Sequence, residues 1–247
     1  MDDRTVALAA FAGLVAAGFA LVTADRWHRR RLTHHGAWTI AMVLFAVGSF
    51  ALWWATSTGW SDGVFRVFFT AGAVLNVAWL ALGSVALLAG DRIAIPLRRV
   101  VALLSAFAIG VMAVAPAKKV FVASEFPQAR DHFGVLPRVL AAVGSGVPAL
   151  VIILGALWSI ARVLTNRSPA LTGSRRTLTI TPSRLVLSNA FIAAGTLVLS
   201  ASGSLAGRLG EEQAFTVTLS IGVLILFVGF LAPGVGASKR RDPDAAR

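Results

Sequence analysis

Apolar residues run in long blocks separated by short polar stretches, and seven blocks are predicted to be membrane-spanning helices. They fall at about residues 6–23, 37–56, 67–89, 100–115, 139–161, 185–206 and 214–232. Uninterrupted apolar runs of this kind are too long for strands or for core helices of a soluble domain. The third block is the cleanest, and its 23 residues would reach roughly 35 Å as a helix. The fourth is the shortest. Residues 91–99 before it read as a linker in which Pro96 marks the start of a helix, and Pro116 closes the block. Gly144, Gly146 and Pro148 lie inside the fifth block, so a bend is expected near Pro148, with neighbouring helices satisfying the freed carbonyls. Gly59 and Gly63 mark a short turn between the second and third blocks. The expected fold is all-α, a single polytopic bundle over residues 1–247 with a mobile polar tail at 233–247. The alternation at 177–181 suits a short extended piece. No internal repeat stands out.

The third block carries a stripe. Gly72, Asn76, Trp79, Gly83, Ala86 and Gly90 recur at steps of four and three, which places them on one helical face. The sixth block carries a similar one: Asn189, Ala193, Thr196, Ser200, Gly203 and Gly207. Small residues at this spacing let membrane helices pack closely, and they also line cavities between helices. Both readings stay open, and Gly72, Asn76, Gly83, Asn189, Thr196 and Ser200 are the candidate positions for either. With the two helices antiparallel, Asn76 falls near mid-membrane and Asn189 near the inner end, so their amides would not meet.

Composition supports the membrane reading. Of 247 residues 57% are hydrophobic and 14% charged, with a mean hydropathy of +0.77, more apolar surface than a soluble domain of this length could cover. The net charge of +12 raises nucleic acid as a partner, but the placement of the charges argues against it. With the N-terminus outside, 16 Lys and Arg fall on the inner side and seven on the outer, while acids divide four to seven. This positive-inside bias sets the C-terminus in the cytoplasm, with the basic loops facing anionic lipid headgroups. Tryptophans at both ends of the second block, Trp38 and then Trp53, Trp54 and Trp60, suit interfacial belts. The plasma membrane is the expected location.

Candidate chemistry is sparse. There is no cysteine, so disulfides, thiolate nucleophiles and cysteine-held metals are excluded. No Asp, Glu, Lys, Arg or His lies inside the seven blocks as drawn, whereas proton-coupled transporters and voltage sensors usually need such groups at depth. The three lysines, Lys118, Lys119 and Lys239, lie outside the blocks, which excludes a retinal Schiff base. Asp91-Arg92-Ile93 echoes the triplet of animal seven-helix receptors, but the seventh block ends in APG rather than NPxxY. A membrane-flanking charge cluster explains it. In the segment 117–138, Glu125, Arg130, Asp131 and His132, with Glu211 and Glu212 of a later turn, could ligate a cation or supply acid–base chemistry. They lack a spacing signature. The simpler reading is a solvated cap with an interfacial turn around Phe121, Phe126 and Phe133. His28, His34 and His35 lie among arginines and read as headgroup-level residues.

The runs FRVFFTAGAVLNVAWLALGSVALL, AWTIAMVLFAVGSFALWW and LPRVLAAVGSGVPALVIILGALWS resemble a family of uncharacterised seven-helix membrane proteins from actinobacteria. The resemblance implies the fold and brings no activity with it. A fainter likeness in layout links the chain to seven-helix sensory regions of bacterial histidine kinases, with signalling then expected to pass through a separate partner. The expectation is a non-catalytic binding, sensory or accessory protein without a cofactor. Its partners would be the bilayer and, on the bundle surface, another membrane protein. The alternatives are a transporter or channel for a neutral or hydrophobic solute and, third, a membrane enzyme using the outer carboxylates.

Overall fold

The chain forms helices that outrun its apolar blocks. The computed structural model describes residues 3–165, 187–188, 190–199 and 212–231, and among these the regular structure is helix alone. The elements are α1 (Asp3–Arg30), α2 (Thr33–Thr58), α3 (Asp62–Ala89) and α4 (Asp91–Val114). They continue with α5, built from Val135–Ala141, Ala142–Gly146 and Val147–Leu164, then α6 (Ala190–Leu199) and α7 (Glu212–Leu231). Six of these helices, all but α6, are long and apolar enough to cross a membrane. The extended piece expected at 177–181, the ends of the sixth block and the tail lie outside the described residues.

Several boundaries differ from those the sequence suggests. α1 continues through the basic cluster, with His28, Arg29 and Arg30 in its last turn, where cations favour the partial negative charge of a helix C-terminus. The linker expected at 91–99 is helix. Gly90 turns the chain from α3 into α4 within one residue at φ +81°, a conformation glycine adopts without strain. Pro96 therefore sits inside α4, and the carbonyl it leaves without a donor belongs to solvent-exposed Arg92. At the other end of α3, Gly63 is already helical and Gly59 alone makes the turn, at φ +101°. A Cβ on Gly59 would also come 2.9 Å from that of Ala123.

Two helices contain a widened π-turn, at Phe69–Leu75 in α3 and Ala142–Gly146 in α5. The second precedes Pro148, whose missing N–H leaves the Gly144 carbonyl without its α-helical donor. Near that proline, where a bend is expected, the feature the backbone shows is this π-turn. The two π-turns pack on each other.

The helix α3 is the axis of the bundle. It touches α2, α4 and α5, while α1 pairs with α2 and α7 packs on α1. Apolar side chains gain nothing by leaving lipid for protein, so close backbone approach must hold these helices together. A Cβ on Gly48 of α2 would lie 3.3 Å from the Gly72 nitrogen, and one on Gly144 of α5 would lie 2.5 Å from the Val74 carbonyl oxygen. A Cβ on Gly83 would run into the Trp38 indole.

Candidate functional site

Asn76 is a polar residue buried within the bundle. It follows the π-turn of α3, is 5% exposed, and its Oδ1 has no hydrogen-bond partner. Apolar residues surround its level: Val74 and Leu75 belong to one buried cluster, Leu80 and Ala81 to the next. A buried acceptor without a donor costs free energy.

The backbone beside it is also rich in acceptors. The Asn76 N–H is given to the Ala71 carbonyl, five residues back. The α-helical ladder then restarts with Leu75 as its N-cap, so the Leu75 carbonyl takes the N–H of Trp79. Between these bonds the carbonyls of Gly72, Ala73 and Val74 face only two amide donors, those of Val77 and Ala78. One carbonyl is in excess. A helical side chain leans back over the preceding turn, which sets the Asn76 amide above this stretch. Gly72 lies there on the same face, partly exposed, and a Cβ on it would meet nothing within 4 Å. The Asn76 Oδ1 is itself fully buried and does not open onto that space.

The remaining stripe positions have other tasks. Gly83 is the socket for Trp38, whose ring also stands edge-on to Phe230 at 4.4 Å. Trp79 donates to Ser105 Oγ of α4 at 3.1 Å. Thr196 is buried, and its hydroxyl donates to the Ile192 carbonyl of its own helix at 2.8 Å, the ordinary way a threonine satisfies itself in a membrane helix. Asn189 and Ser200 lie outside the described residues.

At the Trp60 end, aromatic side chains close the bundle. Phe65 stacks on Phe133 at 5.4 Å, and Trp60 stands edge-on to Phe126 at 5.3 Å. Phe121, Phe126 and Phe133 therefore join one aromatic cluster with Trp60 and Phe65. Arg66 was not apparent from the apolar blocks, because it precedes the third by one residue. Its Nε donates to both oxygens of Asp62, and its Nη1 to the Met112 carbonyl at 2.6 Å. The guanidinium also lies over the Phe133 ring at 5.5 Å. Asp62 four residues ahead of an arginine was the available signal.

Of the loop residues with candidate chemistry, Glu211 and the side chain of Glu212 lie outside the described residues. His132 is buried, pairs through Nδ1 with the Gln128 carbonyl at 3.1 Å, and stacks on Phe121 at 4.2 Å. Asp131 pairs with Arg130 at 3.6 Å. A hollow of about 110 Å³ is lined by Glu125, Gln128, Asp131 and His132 among others. Among the described residues, no three His, Asp or Glu gather to hold a metal ion. Of the three histidines expected at headgroup level, His34 and His35 stand ring to ring at 4.2 Å in the first turn of α2, and His35 is buried. Compared with known proteins, the chain matches no family model and no curated protein.

Proposed function

We propose a non-catalytic binding, sensory or accessory membrane protein that acts through its bundle, taking a small neutral and largely apolar molecule or lipid, or through a partner helix. The observation that carries this reading is Asn76: the residue is 5% exposed, lies on the central helix, and its buried amide oxygen has no hydrogen-bond partner. Polar groups without partners at membrane depth persist where they have a use. Gentle purification followed by mass spectrometry tests it. A lipid, small molecule or membrane protein recovered in near-stoichiometric amount is the expected result, and recovery of bulk lipid alone would count against it.

The finer topology belongs to the same proposal: seven spans, N-terminus outside, C-terminus in the cytoplasm, at the plasma membrane and in the actinobacterial seven-helix family. Arg92, Arg98 and Arg99 of α4 are exposed at one end of the bundle, and Arg162 of α5 stands over Trp158 at 4.5 Å. Residues of this kind suit anionic headgroups. The outward faces of α4 and α5, with Leu103, Phe107, Leu150 and Leu154 exposed, suit lipid or a membrane partner.

The paired π-turns favour a second reading, a transporter or channel for a neutral or hydrophobic solute. Broken or distorted helices that face each other near mid-membrane are how many transporters move around a site. Solute flux in reconstituted vesicles, absent from protein-free vesicles, would establish it over the first.

A further inference from the structure

An open depression of about 540 Å³ lies at the Trp60 end, lined by Trp60, Ser61, Asp62, Lys118, Lys119 and Phe121 among others. We propose that it binds a single-chain anionic amphiphile, with a carboxylate or phosphate on the lysine ammoniums and the chain along the apolar wall. The site is distinct from the bundle interior proposed above and shares no residue with it. Charge selects the head group. Lys118, Lys119 and Ser61 are exposed, so a ligand reaches them without displacing protein. Ser61 is the N-cap of α3, yet its hydroxyl makes no cap bond and is left to donate elsewhere. Asp62, the one acid in this lining, already accepts from Arg66 Nε at both oxygens, at 2.9 and 2.8 Å. Its charge is matched, and the lysines set the local sign. Lys119 also borders the smaller hollow with Glu125 and Asp131, whereas Lys118 does not, which makes Lys118 the principal anchor. An ammonium is a point charge that takes carboxylate and phosphate alike.

The walls select the rest of the molecule. Beside the lysines the lining is apolar, with Phe121 and with Val120, which is 84% exposed; a chain laid there leaves water. Along the sequence this lining leads back within three residues to Val114, 81% exposed at the end of α4, a route by which a chain dissolved in the bilayer arrives. The volume falls in the range of about 300–1,000 Å³ used by small ligands. Both rims are also fixed in advance. The Trp60 N–H donates to the Ala123 carbonyl at 3.0 Å, and the Lys118 N–H to the His132 carbonyl at 2.9 Å. Phe121 stacks on His132 at 4.2 Å and meets Phe65 at 5.7 Å. A wall held in this way loses little freedom when a ligand binds.

Photolabelling with decanoate carrying a mid-chain diazirine tests the assignment on the whole protein in phosphatidylcholine nanodiscs, with adducts mapped by mass spectrometry. Saturable adducts are expected within 60–62 and 117–121. Decanoate and decyl phosphate should compete, and decyltrimethylammonium, with the same chain and the opposite charge, should not. Lys118→Gln with Lys119→Gln should lower labelling there about ten-fold, the loss of a charge-assisted hydrogen bond, while the paired Arg substitutions should retain most of it. Val120→Glu, which brings a like charge to the rim, should lower it as well and keeps the test available if the double variant does not fold. Labelling undiminished in the Gln variant, equal competition by the ammonium, or adducts confined to the outward faces of α4 and α5 would each overturn the proposal. So would displacement by phosphatidylglycerol in the nanodisc, measured against the α4 and α5 adducts, since bilayer headgroups would then be the occupant.

Discussion

Helices α3 and α4 are adjacent in sequence, equally apolar, and opposite in circumstance. In α3, 56% of the apolar window is buried; in α4 it is 11%. α3 has helices on three sides, and its special positions are occupied: a tryptophan in the Gly83 socket, a carbonyl under Gly144, a buried amide at Asn76. α4 buries only one narrow face, with Ala94, Ala108 and Met112 on it, and turns Leu103, Phe107 and Val114 outward. In a bilayer both outcomes suit the same composition, because lipid and protein interior are alike to a leucine. What separates the helices is the presence of residues that lipid cannot serve: small ones that admit a backbone, and polar ones that need a partner.

Substitutions can break that contrast, and the largest effect is expected where α3 meets backbone. Gly144→Ala places its Cβ against the Val74 carbonyl, which cannot rotate aside as a side chain can. A loss at the upper end of about 1–3 kcal/mol is expected, read as a lowered unfolding midpoint in detergent. Arg66→Leu removes the tie between α3 and the end of α4 and is expected to cost about 1.5 kcal/mol. The Lys variant should recover only part of it, since an ammonium cannot reproduce the planar fork that serves Asp62 and the Met112 carbonyl together. Asn76→Leu has the informative sign. If the amide served packing, the protein would lose stability; with its oxygen unpartnered in the unliganded protein, a gain of about 1 kcal/mol is expected. Ser105→Ala deletes the Trp79 hydrogen bond to α4 and should cost only about 0.6 kcal/mol. Smallest of all, Leu103→Ala on the outward face of α4 should shift stability by less than about 0.5 kcal/mol.

Much of the architecture was legible because apolar block length and polar punctuation are direct consequences of bilayer thickness. The stripe on α3 was legible as a face, and its meaning was not. Gly83 reads as a packing glycine, but the partner that requires it, Trp38, is on another helix. Trp79 and Gly90 shared the spacing and have separate tasks, one bonded to Ser105, the other turning the chain. The π-turn at Phe69–Leu75 left no mark in the sequence, since its residues suit an ordinary helix. The one at Ala142–Gly146 was foreshadowed by Pro148. The helical run at 91–99 was obscured by its charges and proline, which suit a helix end projecting into water as well as they suit a linker. Asn76 stood out from composition alone; that its oxygen lacks a donor depends on neighbours that no local pattern encodes.

The point to test most directly is that α3 is more enclosed by protein than α4. The absence of native cysteine makes the direct measurement clean: single cysteines placed along α3 and α4 in nanodiscs, spin-labelled, and read for oxygen accessibility. Labels at 80 and 83 should be shielded, one at 72 intermediate, and those at 103, 107 and 114 fully accessible. Equal accessibility along the two helices would contradict the account.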